Sequence, residues 1–391
     1  MISLEKQKTN ISNSLLGSEK YVPFLRKNGR CIYVEHSSMC PVFNDMEFDK
    51  AGIFSEGLAV VSINDKTGFI NREGEVAIPL IYDSASDFSE GLASVVIDDC
   101  YGLVNKQGDV IVPIIYDNVG DCYDGYVQVE LDGLYGITNS NGKEIYPPKS
   151  MEVVIFSEGM ARISDNAGYN HGFINISGKI VIPKIYYSAG DFSYGLAPVK
   201  WQEMWGFIDR EMNTKIPFIY TNAYNFKDGI SGVFSKGKWG FVNVEGDVVI
   251  PFIYDKLTDY HRFMCEEMIG VMNEKNCGFI NKNGEEIVPL KYEQTKFFSE
   301  GMAGVRLKNK WGFVDTSGRE VISPKFEYVG FFSDDIAWVF QNNKEGYIDR
   351  EGHIIIPPKY KRAGSFEDGL ARVELDGQSF YIDKMGREFK E

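Results

Sequence analysis

Basic charge is what this sequence is short of. Its 41 Lys and Arg stand against 56 Asp and Glu, a formal net charge of −15. Binding a phosphate backbone depends on Lys and Arg displacing counterions, so nucleic acid is not an expected partner. Histidine is scarcer still. His36, His171, His261 and His353 are widely separated, no pair has zinc-ligand spacing, and neither H-E-x-x-H nor G-x-S-x-G occurs. The six cysteines (Cys31, Cys40, Cys100, Cys122, Cys265 and Cys277) include no C-x-x-C pair. In a chain this long they make no disulfide framework and suit a reducing cytoplasm. No apolar run approaches the ~20 residues of a membrane-spanning helix. The opening MISLEKQKTNISNSLLGSEK has no apolar core of signal-peptide length. Membrane insertion is therefore not expected, and a cytoplasmic location is. No catalytic residue, cofactor or metal ligand is assigned.

What the chain does have is glycine and aromatic residues. Gly numbers 40 and Tyr plus Phe number 49, while hydrophobic residues reach 43%. This mix supports a continuous core and suits many short strands joined by tight turns. The arrangement is periodic. A glycine within a W-G-F-like core recurs at Gly68, Gly102, Gly136, Gly172, Gly206, Gly240, Gly278, Gly312 and Gly346, with Phe380 in its place in the last copy. The steps are 34 residues, apart from one of 36 and one of 38.

Three residues past each anchor stands Asn or Asp, from Asn71 to Asp383, and three further on a Gly, except where Met212 intrudes. An Asn or Asp that caps its own backbone, followed by a Gly that accepts positive φ, is a type I turn signature. The W-G-F segment and the following V-V-I-P segment thus form a hairpin. Prolines such as Pro79, Pro113, Pro251 and Pro289 end its second strand. A further strand precedes the anchor, opened by F-S-E-G-L-A-x-V as at 88–95 and 298–305. The expected fold is all-β: ten roughly 34-residue three-stranded antiparallel meanders in tandem. Each is followed by a loop bearing Tyr and Phe.

At the N-terminus PFLRKNG (23–29) aligns with GFINREG (68–74), so residues 1–47 read as a cap with a degenerate repeat and 48–391 as the array. On the Ala-Val strand, Ala59, Ala93 and their equivalents alternate with Val61, Val95 and theirs, which marks a core face. The opposite face varies from copy to copy. One row reads Val60, Ser94, Gln128, Arg162, Pro198, Gly232, Gly270, Gly304, Trp338, Arg372. The strands on either side of the N-x-x-G turn are apolar at nearly every position, so both of their faces are expected to be covered by stacking of successive units.

The pattern W-G-F-[IV]-[ND]-x-x-G…I-P-x-x-Y-D resembles the WG-repeat (KWG) family of bacterial tandem-repeat proteins over about residues 48 to 391. Trp205-Gly206, Trp239-Gly240 and Trp311-Gly312 carry the literal dipeptide, and Thr67, Tyr101, Tyr135, His171, Cys277, Glu345 or Ser379 replaces the Trp elsewhere. The resemblance implies a bacterial source, an all-β array and no shared catalytic residue. Thirty-four residues is short against the roughly 40–45 of a four-stranded propeller blade. Ten blades also exceed the usual ~4–8. An open β-superhelix, or solenoid, is expected over a closed propeller-like ring.

A residue that recurs in every copy is structural, so function is sought in departures from the repeat. Trp338 and Phe340 break the variable face of the Ala-Val strand, with Phe234, Met272 and Arg306 on the same face. Aromatic residues, Met and Arg are the composition of a protein-binding hot spot. Trp338 lying across Gly304 and Gly270 is the alternative, since aromatics cover sheet glycines. The inserted loop with Tyr260, His261 and Arg262 and the turn carrying Trp201 are further candidates. The expected function is non-enzymatic: a scaffold binding another protein. A basic partner would complement the acidic surface, although the acidity is read first as keeping the protein soluble. An immunity, anti-toxin or phage-defence binder and a carbohydrate or cell-envelope binding module are the alternatives. Partner identity and oligomeric state are left open.

Overall fold

The computed structural model describes residues 20–258, 266–367 and 369–389. A hairpin of β1 (Tyr21–Leu25) and β2 (Cys31–Glu35) leads into ten four-stranded antiparallel sheets. The first contains β3 (Lys50–Ala51), β4 (Leu58–Ile63), β5 (Lys66–Asn71) and β6 (Val76–Tyr82), paired in that order. Every later sheet repeats this meander. The sheets stack in series, and the main inter-sheet contacts join consecutive repeats. The result is an open, solenoid-like array with no closed barrel.

The three expected strands are the last three of each sheet. The fourth comes from the segment expected as a Tyr- and Phe-bearing loop. This leading strand is two residues long in most repeats (Ser84–Ala85, Asn222–Ala223) but six in Asn118–Tyr123, Gln294–Ser299 and Tyr328–Ser333. Its first residues pair with the end of the Ala-Val strand, as Ser84 with Val96.

The anchor glycine has a steric cause. The Ile-Pro strand passes so close over the W-G-F strand that a Cβ at Gly68 would lie 2.6 Å from the Ile78 carbonyl oxygen. At position 380 Phe stands in place of the glycine and meets Tyr360 edge-on at 6.5 Å; among the described residues the strand Glu388–Phe389 pairs with Tyr381 and Ile382. The N-x-x-G turns form as expected: Asn71 Oδ1 accepts from the amides of Glu73 and Glu75, and Gly74 has φ +82°. Met212 holds φ +66° at the equivalent glycine position.

Each F-S-E-G segment ties its repeat to the next. Except at Phe156, its Phe packs on the W-G-F strand of the repeat before, as in Phe69–Phe88 at 4.8 Å and Phe313–Phe332 at 4.8 Å. The Ser hydroxyl donates forward to a carbonyl one repeat on, Ser55 to Phe88 and Ser299 to Phe332. The Glu carboxylate accepts from the backbone of the next tight turn: Glu56 from Gly91, Glu158 from Tyr194 and Gly195, Glu300 from Asp334 and Asp335. This accounts for the recurrence of an acidic residue there.

The core is a ladder of Ala59, Val61, Phe69 and Ile70 and their equivalents, all fully buried in the first repeat. The Ile-Pro strand departs from expectation, for only one of its faces is covered. Ile250 is buried while Val248, Val249 and Ile253 are exposed, because this strand is the outer edge of its sheet.

Candidate functional site

The variable row of the Ala-Val strand faces the leading segment eight residues upstream, and the two positions compensate in size. Where the Ala-Val strand carries glycine, the leading segment covers it: Tyr224 lies over Gly232 and Lys296 over Gly304. Thr258 covers Gly270 across a longer spacing. Where the Ala-Val strand carries a side chain, the glycine moves to the leading segment, as in Gly52 with Val60, Gly120 with Gln128, and Gly190 with Pro198. In these repeats bulk on one segment is matched by glycine on the other while the chemistry changes, whereas Ser86–Ser94 and Val154–Arg162 lack the exchange. A face of this kind can diversify without disturbing the core.

In the sixth, eighth and ninth repeats this face becomes aromatic. Tyr224 stacks on Trp239 at 4.9 Å with the rings 7° from parallel, and Phe234 meets the same indole at 5.2 Å. Farther along, Trp338 stacks on Tyr328 at 5.7 Å, Tyr328 meets Trp311 edge-on at 5.5 Å, and Phe297 stacks on Phe331 at 4.0 Å. The Lys296 ammonium sits among these rings, 4.3 Å from Tyr328, 4.9 Å from Phe331 and 5.5 Å from Trp311. It also donates to the Tyr328 hydroxyl at 3.0 Å. An ammonium within ~6 Å of a ring centroid is attracted by the ring quadrupole, so the band holds a cation in an aromatic setting.

Phe234, Met272, Arg306, Trp338 and Phe340 are all half-buried: neither sealed in the core nor free of it. Trp338 does cover a glycine, but a different one from that expected. It lies over Gly330 of its own sheet, where a Cβ would come 2.2 Å from the indole nitrogen. Arg306 is turned to its own hairpin, donating to Asn309 Oδ1 at 2.7 Å and facing Glu293 at 3.6 Å. Trp201 is exposed and lies edge-on to Tyr186 at 5.9 Å, apart from the aromatic band. Tyr260, His261 and Arg262 lie outside the described residues.

Lys296, Tyr328 and Phe331 were not singled out in the sequence. Aligning the leading segments as well as the Ala-Val strands exposes Lys296, eight residues before Gly304; Tyr328 and Phe331 flank Gly330, the glycine that Trp338 covers.

Two further clusters bear on chemistry. His171 is buried, with Nε2 3.2 Å from Glu152 Oε1, and Arg162 Nε is 3.3 Å from Glu152 Oε2. The His171 ring beside it holds the Glu152 carboxyl below its ordinary range, against burial, and the Arg162 charge adds to the effect. Among the described residues Asp349, Glu351 and His353 bring three ligand atoms within 4.8 Å of one another. They belong to an N-x-x-G turn in which Asp349 Oδ1 already accepts from the amides of Glu351 and His353.

A sequence model described as "WG containing repeat" matches ten segments: 45–66, 68–99, 101–135, 135–169, 172–200, 205–239, 239–276, 278–311, 311–344 and 346–378. No curated protein matches the chain. Among solved structures, a eukaryotic initiation factor is similar over 77% of this chain and 95% of its own, with 11% identity and a TM-score of 0.45. Hsv2 of Kluyvelomyces marxianus is similar over 66% of this chain and 89% of its own, with 10% identity and a TM-score of 0.27. The extracellular domain of a hybrid two component system from B. thetaiotaomicron is similar over 93% and 61%, with 8% identity and a TM-score of 0.25.

Proposed function

The chain belongs to the WG-containing repeat family, and from that premise we propose that it is a non-enzymatic scaffold that binds another protein through the variable face. The observation that carries this reading is the compensated row. Everything around it repeats, whereas this face changes chemistry along the array and carries Tyr224, Phe234 and Trp239 in the sixth repeat and Trp311, Tyr328 and Trp338 in the eighth and ninth. Trp239 and Trp311 are buried and hold the partly exposed Tyr224, Phe234, Tyr328 and Trp338 in fixed orientations, and such anchored aromatics are the residues that carry binding energy at protein interfaces. A basic partner suits the net charge of −15, because complementary charge speeds encounter.

The test compares wild type with a Trp338→Ala, Phe340→Ala variant in affinity capture from lysate of the native host, read by mass spectrometry. Near-ultraviolet circular dichroism and the urea midpoint establish that the variant is folded. A protein retained by wild type and lost by a folded variant supports the reading. Identical captures from both would refute the assignment to this face.

A further inference from the structure

A recess of about 500 Å³ opens between the third and fourth repeats, lined by Gly120, Tyr126, Gln128, Ile137, Val154 and Phe156, among others. It exists because the inter-repeat Phe packing fails at this junction. Ile137 stands where Phe69, Phe173, Phe207 and Phe313 stand in other repeats. Val154 has taken the buried place beside Ile137. Phe156 is only partly buried against that cluster and meets the Tyr126 ring at 4.6 Å, tilted by 46°, leaving a concave apolar floor between the two repeats.

The rim departs from the repeat as well. Tyr123 replaces the serine found at Ser89 and Ser157, and Ile155 replaces the aspartate found at Asp87 and Asp191. Tyr123 is 73% exposed, Ile155 60% and Ile176 54%, so three large apolar side chains stand in solvent around one opening. Asp121, Asp124 and Glu158 complete the rim, and no Lys or Arg lines it. Glu158 shares its charge with Arg210 at 3.4 Å, which leaves Asp121 and Asp124 as the dominant charges. A mostly apolar concavity of this volume with a few polar groups at its edge has the form of a binding pocket.

We propose that this recess docks a segment of a partner protein in which a large apolar side chain is flanked by lysine or arginine. The apolar side chain enters the recess beside the Tyr126–Phe156 ring pair, over Ile137, and the flanking cations face Asp121 and Asp124. The site stands apart from the aromatic band of the sixth, eighth and ninth repeats and does not depend on it.

The probe is acetyl-Lys-Phe-Lys-amide, titrated into the full chain by calorimetry, with acetyl-Glu-Phe-Glu-amide and phenethylamine as comparisons. Tyr123→Ser with Ile155→Asp installs what other repeats carry at these exposed positions. Asp121→Asn with Asp124→Asn removes the charge alone. The expected result is binding of the basic peptide, weakened at least tenfold in both variants and unchanged in Trp338→Ala, Phe340→Ala, with no binding of the acidic peptide. The proposal is overturned if the basic peptide does not bind, if it binds no better than the acidic one, or if neither rim variant weakens it. It is also overturned if the band variant abolishes binding, or if phenethylamine binds as tightly as the peptide, which would make the recess a small-amine pocket.

Discussion

Replacing Gly312 by alanine tests whether crowding by the Ile-Pro strand is what demands the anchor glycine. A Cβ there would lie 2.2 Å from the Ile322 oxygen, 2.6 Å from the Pro324 nitrogen and 2.7 Å from the Ser323 carbonyl carbon. All three are backbone atoms of a strand paired through Phe313 with Ile322 and Trp311 with Phe326, so no side-chain rotation relieves the contact. Non-bonded carbons settle at about 3.5–4.0 Å, and the strand must retreat by about 1 Å. Overpacking of this kind costs about 1–3 kcal/mol, whereas an unobstructed Gly→Ala change in a strand gains about 0.5–1 kcal/mol. The two accounts therefore differ in sign. Hydrogen exchange of the amides in Glu320–Phe326 is the assay, because a repeat array can open locally without global unfolding. Protection there should fall by roughly one to two orders of magnitude, since 1.4 kcal/mol is tenfold. The loss should be smaller for Gly240→Ala, where the closest approach is 2.8 Å. Unchanged or increased protection in Gly312→Ala would refute the steric account.

Other expectations follow from particular contacts. Burial would raise the Asp209 carboxyl, but hydrogen bonds from Asn213 and Lys215 hold it down at about 2. A depressed carboxylate contributes stability above its unfolded pKa of about 3.9 and loses it as pH falls through the folded value. Wild type should therefore exceed Asp209→Asn in urea midpoint at pH 6, and the gap should close between about pH 4 and pH 2. Lys296→Met keeps the stem over Gly304 and removes the ammonium. The melting temperature should fall by an amount equivalent to about 0.5–1 kcal/mol, and unchanged stability would show that the rings do not use the charge. Ser299→Ala removes the hydroxyl that reaches the Phe332 carbonyl. It should lower stability by about 0.5–1.5 kcal/mol, with faster exchange at the turn around Asp334–Asp335.

The repeat period, the N-x-x-G turns and the Ala-Val core were legible because each depends on residues close in sequence. Asn71 caps amides two and four positions on, and Ala59 and Val61 share a face by strand alternation alone. The leading strand was not legible. Two residues such as Ser84–Ala85 carry no alternation, and their pairing is set by where the preceding Ile-Pro strand delivers the chain. Exposure of Val248 and Ile253 was hidden for a related reason, since an apolar run does not say whether its strand lies at an edge or in the middle of a sheet. Among the candidates, the half-buried state of Trp338 depends on Gly330, a residue of the neighbouring strand. The recess at the third and fourth repeats arises from Ile137, Val154 and Phe156 exchanging places in space, which no single position reveals.

The serine and acidic staples all point the same way. Ser55, Ser157, Ser299 and Ser333 reach toward the C-terminus, as do Glu56, Glu158, Glu300 and Asp334. A chain emerges from the ribosome N-terminus first at about 5–20 residues per second, so one repeat appears in roughly 2–7 s. Hairpins close in about 1–10 μs. Each newly synthesised turn thus arrives at a finished edge whose hydroxyl and carboxylate are already in place. The array grows like a zip fastened from one end, and its unfinished surface during synthesis is that of a single repeat.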